Sequence, residues 1–170
     1  MAAEAIRVLG VDTSLRSTGV GVVEARGARF TAIEYGTIPF PDRLPHSSCL
    51  RGLYSGIVEL LRRTPVQVAA IEGVFFSRNL KTTLILGEAR GAVIAACASV
   101  GIPIYEYAPR SVKQAVVGFG GAEKAQVRLM LKAQLGLAED PQEDAGDALA
   151  LALCHLQRSR GHQALAEKPI

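Results

Sequence analysis

In QEDAGDALALALCH two aspartates, Asp144 and Asp147, stand at the head of an otherwise apolar helical run. A spacing of three puts both on one helix face, about 5 to 6 Å apart. Acidic residues commonly complement the positive N-terminus of a helix, and Glu143 needs no other explanation. The two aspartates need more: with Leu151 and Cys154 they form a single stripe, spaced 3, 4 and 3, that continues into apolar residues. Both are therefore expected to point toward the core. Glu72 interrupts the apolar run VAAIEGVFF, and in a strand buried on both faces an unpartnered carboxylate costs roughly several kcal/mol. Asp12 ends the apolar run IRVLGVD just before a turn containing Thr and Ser, where a turn-forming role explains an Asp equally well.

Four carboxylates aimed inward repel one another unless cations neutralise them. An all-oxygen donor set suits Mg²⁺ or Mn²⁺ rather than zinc. Two such ions about 3.5 to 4 Å apart clamp the attacking and departing oxygens of a phosphodiester, and one lowers the pKa of a bound water. Metal-dependent phosphodiester hydrolysis is the chemistry this set predicts. His155 lies eight residues, about 12 Å of helix, beyond Asp147 and reads as structural or surface, not as a ligand.

The elements that must position these acids follow from periodicity. Ile6 to Asp12, Thr18 to Glu24 and Arg29 to Pro39 read as three closely spaced strands, hence an antiparallel meander. A covering helix carries Leu50, Leu53, Tyr54, Ile57, Leu60 and Leu61 and ends before Pro65. Val66 to Phe76 reads as a strand, followed by a long helix from about Asn79 to Val100 and a short strand in IPIYEY. Strand, helix, strand succession implies parallel pairing, so the sheet is mixed. Helices in RSVKQAVV, AEKAQVRLMLKAQLG and QEDAGDALALALCHLQRS close the chain.

With 170 residues, 49% of them apolar, the chain supports one core and one domain, expected over 1–158, with a fraying tail over 159–170. GAVIAACASVGIPIY is too short to span a bilayer, which takes about 20 apolar residues, and no export signal opens the chain. No membrane role and a cytoplasmic location are the expectations. The three cysteines, Cys49, Cys97 and Cys154, are far apart and suit neither a disulfide frame nor a zinc site. A net charge of +3 permits a polyanionic partner without requiring one.

Taken together, GVDTSLRSTGVG, AIEGVFFSRN, LGEARG, YEYAPRSVKQAVVGFGGAEKAQV and DAGDALALALCH resemble, in order, the blocks of the RuvC family of Holliday junction resolvases within the ribonuclease H-like superfamily. The resemblance spans Gly10 to His155 and implies a five-stranded mixed sheet, order 3-2-1-4-5, flanked by helices. It implies that Asp12, Glu72, Asp144 and Asp147 are the catalytic ligands of two divalent ions, Mg²⁺ or Mn²⁺, in an endonuclease that resolves four-way junction DNA by paired nicks in recombination and repair. One departure is the turn after Asp12, where Thr13-Ser14 replaces the family's usual Pro-Gly.

Lys113 and Lys124 bracket the glycine-rich loop QAVVGFGGAE, whose backbone can approach a phosphate closely, with Arg110 and Arg128 in the same neighbourhood. A solvated charged face explains such residues too. The resemblance assigns both lysines to DNA, places Phe75 among unstacked bases at the junction centre, and adds Arg78 and Asn79 from the same loop. Gly87, Gly91 and Ala95, four apart, make a smooth helix ridge that packs either on its own sheet or on a second copy. The family is dimeric, and a symmetric dimer matches two symmetric cuts. RuvAB, a branch-migration complex, is a partner implied by resemblance alone. Two other classes fit parts of the pattern. An actin-like ATPase or sugar kinase shares the opening GVDTS motif but needs two domains, and a non-catalytic junction binder would have no need of all four acids.

Overall fold

Gly10 and Gly21 face one another across two paired strands, and the gap they leave is where the last helix lies. In the computed structural model, which describes residues 4–73, 79–160 and 168–170, β1 (Ile6–Asp12), β2 (Ser17–Arg26) and β3 (Arg29–Pro39) form the expected meander. β4 (Val68–Glu72) and β5 (Ile104–Tyr107) add parallel strands on the other side, giving the order β3-β2-β1-β4-β5. The mixed sheet and its strand order are those expected.

Two helices, α1 (His46–Arg63) and α2 (Leu80–Ser99), cover one face; α3 (Pro109–Val117), α4 (Lys124–Leu135) and α5 (Glu143–Arg160) cover the other. The core is accordingly split by the sheet. Leu9, Val11, Val20, Val22 and Ile71 pack toward α1 and α2, whereas Val8, Val23 and Ala70 pack toward α5, as alternation along each strand requires. α5 presses closely where β1 and β2 carry glycine beneath it. A Cβ at Gly10 would overlap the Ala148 carbonyl, one at Gly19 the Asp144 carbonyl, and one at Gly21 the side chain of Leu149.

β4 ends at Glu72, ahead of Gly73, so Glu72 is an exposed strand-end residue and not the interior of a doubly buried strand. Val74, Phe75, Phe76, Ser77 and Arg78 lie outside the described residues. At the C-terminus, α5 runs two residues past Arg158, and the Ile170 N–H donates to the Ile104 carbonyl of β5 (3.0 Å), while 161–167 lie outside the described residues. The glycines at 120 and 121 are occupied ground: Arg110 and Phe119 side chains lie where their Cβ atoms would stand. Among the described residues no helix is long and apolar enough to cross a membrane.

All three cysteines are buried and free, and burial pushes the Cys97 thiol up to about 12. Of the two roles open to His155, structural or surface, the structure gives the first. The residue is 8% exposed, and its Nδ1 lies 2.8 Å from the Tyr107 hydroxyl, joining α5 to β5. Burial lowers its pKa. Below the unfolded value of about 6.5 the unfolded chain therefore takes up a proton that the folded protein resists, and stability falls as pH falls, by at most about 1.4 kcal/mol per pH unit. A metal-free His155→Gln protein is expected to lose this component, so urea midpoints of the two proteins should diverge from pH 7.5 down to 5.5 in their pH slopes. Equal slopes would refute the buried neutral imidazole. The comparison is needed because Asp12, with its raised pKa, acts in the opposite direction over the same range.

Candidate active site

Both strand-borne acids are terminal residues of parallel neighbours. β1 and β4 run in register with Val11 beside Ile71, so Asp12 and Glu72 emerge side by side at the carboxyl ends of their strands. Ligand sites of open α/β sheets form at this edge. Asp12 is also the cross-strand partner of Gly19, and the Asp144 carbonyl occupies the space a Cβ at Gly19 would need. The glycine thus carries the first turn of α5 onto the end of β1. The turn after Asp12, where Thr13-Ser14 stands, is held by Thr18: the Ser14 N–H donates to Thr18 Oγ1 (3.2 Å), and the Thr18 hydroxyl donates back to the Ser14 carbonyl. Arg90 fixes the other strand end, donating to the Glu72 carbonyl (2.8 Å) while pairing with Glu106 of β5.

Asp12, Glu72 and Asp147 line one cleft of about 170 Å³ together with Lys113, Lys124, Arg128 and Glu143. Its floor and sides include Pro109, Val112, Val127, Leu131 and Leu151, a partly apolar wall that strengthens electrostatic interactions within it. Asp144 is outside that wall and accepts a hydrogen bond from Ser17 Oγ at 2.6 Å. Its charge nevertheless reaches Asp12. Asp12 is raised to about 7, first by burial and then by repulsion from Asp147, Glu72 and Asp144, with Lys124 opposing. Glu72 is raised by burial and by Asp147; Asp147 is raised by burial and by Glu143 and Asp144, against the pull of Lys124 and Arg128. The repulsion within the group falls chiefly on Asp12, which keeps its proton longest because a coupled set gives up protons in steps.

Among the described residues no three His, Cys, Asp or Glu side chains are drawn tightly enough together to clasp an ion on their own. The donor chemistry nonetheless fits divalent cations: Asp12, Glu72 and Asp147 offer only oxygen atoms to the cleft, each with its carboxyl raised, and Asp144 lies close enough for its charge to reach Asp12. Removing that repulsion is what a bound cation does.

The remaining predicted residues separate. Lys113 and Lys124 are in the cleft; Lys124 pairs with the exposed Glu143, which also raises the lysine's pKa. Arg110 is exposed and lies over Gly120, outside the cleft wall. Asn79 caps α2, its side chain accepting from the Thr82 N–H (3.2 Å). Phe75 and Arg78 lie outside the described residues. Sequence reading missed Ser17 and the cleft-lining position of Glu143. It also missed the docking role of Gly10, Gly19 and Gly21, although small residues recurring through TGVGV signalled a surface against which backbone can pack.

The family model for crossover junction endodeoxyribonuclease RuvC matches residues 8–155. A RuvC of Alkalilimnicola ehrlichii is 48% identical over 158 residues, 90% of this chain and 92% of its own length. One from Chloroflexus aggregans is 43% identical over 151 residues, 88% of this chain and 92% of its own. Thermus thermophilus RuvC in complex with Holliday junction substrate superposes with a TM-score of 0.90 at 34% identity, covering 97% of this chain and 99% of that one. The yeast mitochondrial Holliday junction resolvase, with a TM-score of 0.61 at 13% identity, shares the ribonuclease H-like fold alone. On matches that run nearly the whole length of the domain, this chain belongs to the RuvC family of crossover junction endodeoxyribonucleases.

Proposed function

We propose that the chain resolves four-way DNA junctions by symmetric hydrolytic nicks, with Asp12, Glu72, Asp144 and Asp147 holding two divalent cations, Mg²⁺ or Mn²⁺. The observation that carries this reading is the gathering of Asp12, Glu72 and Asp147, from three separate elements, around one cleft in which each carboxyl is raised, Asp12 most strongly and with Asp144 adding its repulsion there. Bound there, divalent cations supply the means to activate water and to offset charge on the phosphodiester. The protein's own groups do the rest. β1, β4 and α5 hold the acids on rigid elements, and the apolar side of the cleft limits access of bulk water. The test is nicking of a synthetic four-way junction and of a linear duplex of the same sequence, before and after chelation. Activity confined to the junction, lost with chelator and restored by Mg²⁺ or Mn²⁺, is the expected result; nicking that survives chelation would refute the metal assignment.

Lys113 and Lys124 approach the DNA backbone. The Lys124–Glu143 pair is exposed on both sides, and such pairs are weak enough to yield to a phosphate. Lys113→Ala is expected to weaken junction binding about equally for all sequences and to lower the slope of log K against log salt by about 1. Fluorescence anisotropy between 50 and 200 mM salt, a range set by the counterion effect, measures this, and an unchanged slope would remove Lys113 from the interface.

A second copy of the chain supplies the second cut. On α2, Ala89, Val93, Ala96 and Cys97 are buried on the domain's own sheet, while Gly87 and Gly91 on the other side have nothing within 4 Å of a built Cβ. Leu80 and Leu84, 72% and 59% exposed, extend this open face. Leu80, Leu84, Gly87 and Gly91, spaced 4, 3 and 4, form one exposed stripe that a second helix can cover, and a two-fold axis through such a ridge relates two sites as the junction relates its two scissile strands. Gly91→Arg raises helix propensity by about 1 kcal/mol, so its monomer should fold. Sedimentation equilibrium is expected to show that variant monomeric and the parent dimeric; a dimeric variant would place the interface elsewhere. A role beside RuvAB, and hence in the cytoplasm, rests on the family resemblance.

A further inference from the structure

We propose that Ser17 is a positioning residue that sets the orientation of Asp144 as a cation ligand, an inference that rests on the assignment of Asp144 to the metal set. Ser17 is the first residue of β2, half-buried, and its Oγ donates to Asp144 Oδ2 at 2.6 Å. Two residues on, Gly19 receives the Asp144 carbonyl. The same strand therefore fixes both ends of this aspartate, its main chain by close packing and its carboxylate by one hydrogen bond.

The chemistry explains why a serine suits the position. A carboxylate torsion is broad and nearly two-fold, so an Asp at a helix start can turn either oxygen to a cation or to solvent. Engaging Oδ2 removes that freedom and leaves Oδ1 available. A lysine or arginine would hold the carboxylate just as firmly, but it would also neutralise the charge that attracts the cation. The hydroxyl is a neutral donor: it orients Asp144 and leaves its field intact, and that field is felt at Asp12. Asp12, Glu72 and Asp147 line the cleft directly and Asp144 does not, which makes Asp144 the member whose contribution depends most on being steered. Hydrogen-bond partners of ligating side chains typically change metal affinity by about 10- to 100-fold.

The experiment compares Ser17→Val with Ser17→Thr, side chains of the same shape that differ in the hydroxyl and that both suit a strand. Mn²⁺ binding is read without DNA, from the electron paramagnetic resonance signal of free Mn²⁺, alongside thermal unfolding, junction affinity and single-turnover nicking. S17V is expected to bind Mn²⁺ about 10-fold or more weakly and to nick correspondingly slowly at limiting Mn²⁺, with junction affinity unchanged. S17T is expected to stay within about threefold of the parent, because the hydroxyl is what acts. If S17V binds Mn²⁺ like S17T while Asp147→Asn has lost binding, the positioning role is refuted and the metal site stands. Should Asp144→Asn and Asp147→Asn both bind Mn²⁺ like the parent, the site assignment fails and the role of Ser17 falls with it.

Discussion

Asp147→Asn is expected to bind a synthetic four-way junction normally and to nick it more slowly by at least about 10²- to 10³-fold, the scale of losing one preorganised charge-stabilising group. Asparagine keeps the shape and polarity of the side chain, so the docking of α5 has no reason to change. What disappears is one negative charge from a group in which burial and mutual repulsion already raise Asp12, Glu72 and Asp147. The same substitution should therefore stabilise the metal-free protein, because a charge held at a cost has been removed. A higher melting temperature together with lost nicking is the signature of a residue kept for chemistry against the interest of the fold. Undiminished nicking with binding intact would remove Asp147 from the site. A lower melting temperature would show that the charge is structurally compensated and that the repulsion among these acids is not felt.

Gly19→Ala is expected to have an effect of similar size on nicking through packing alone. A single added methyl would overlap the backbone of Asp144, and backbone cannot swing aside as a side-chain tip can. The first turn of α5 must then lift from β2, carrying both Asp144 and Asp147 away from Asp12. Gly10→Ala places the same obstruction under Ala148 and Ala152, farther along the helix. There the main consequence is stability, with overpacking against a buried helix expected to cost about 1 to 3 kcal/mol or more. Urea denaturation and junction nicking measured on both variants separate the two effects. If Gly19→Ala nicks like the parent, the close approach of α5 to the end of β2 does not hold in solution.

These glycines also mark where the sequence was read incompletely. Glu72, Asp144 and Asp147 were legible as charges set into apolar patterns, whereas Asp12 read equally well as a turn residue until the family resemblance grouped it with them, and the strand order came from that resemblance, with which adjacent Asp12 and Glu72 agree. What alternation of apolar residues does not reveal is how far a helix sinks onto a sheet, since that depends on the absence of side chains. Gly10, Gly19 and Gly21 leave the apolar pattern unbroken, yet they determine where Asp144 and Asp147 arrive. The place of Glu72 in β4 was misread for a related reason: VAAIEGVFF is apolar on both sides of it, yet Glu72 is the last residue of the strand, beside Tyr107 of β5. Glu72 stands exposed at the end of β4 rather than inside a doubly buried strand, and what raises its carboxyl is partial burial first and the neighbouring Asp147 second. Ser17 left no signal of its own, because a serine at a strand start is ordinary until a helix from the far end of the chain is laid against it.

Acids from β1, β4 and α5 are expected to share cations in one cleft. Crystals grown with Mn²⁺ and measured near the manganese absorption edge test it most directly. The expected result is two anomalous peaks bounded by Asp12, Glu72, Asp144 and Asp147. Full manganese occupancy elsewhere on the protein, with no peak among these four carboxylates, would contradict it.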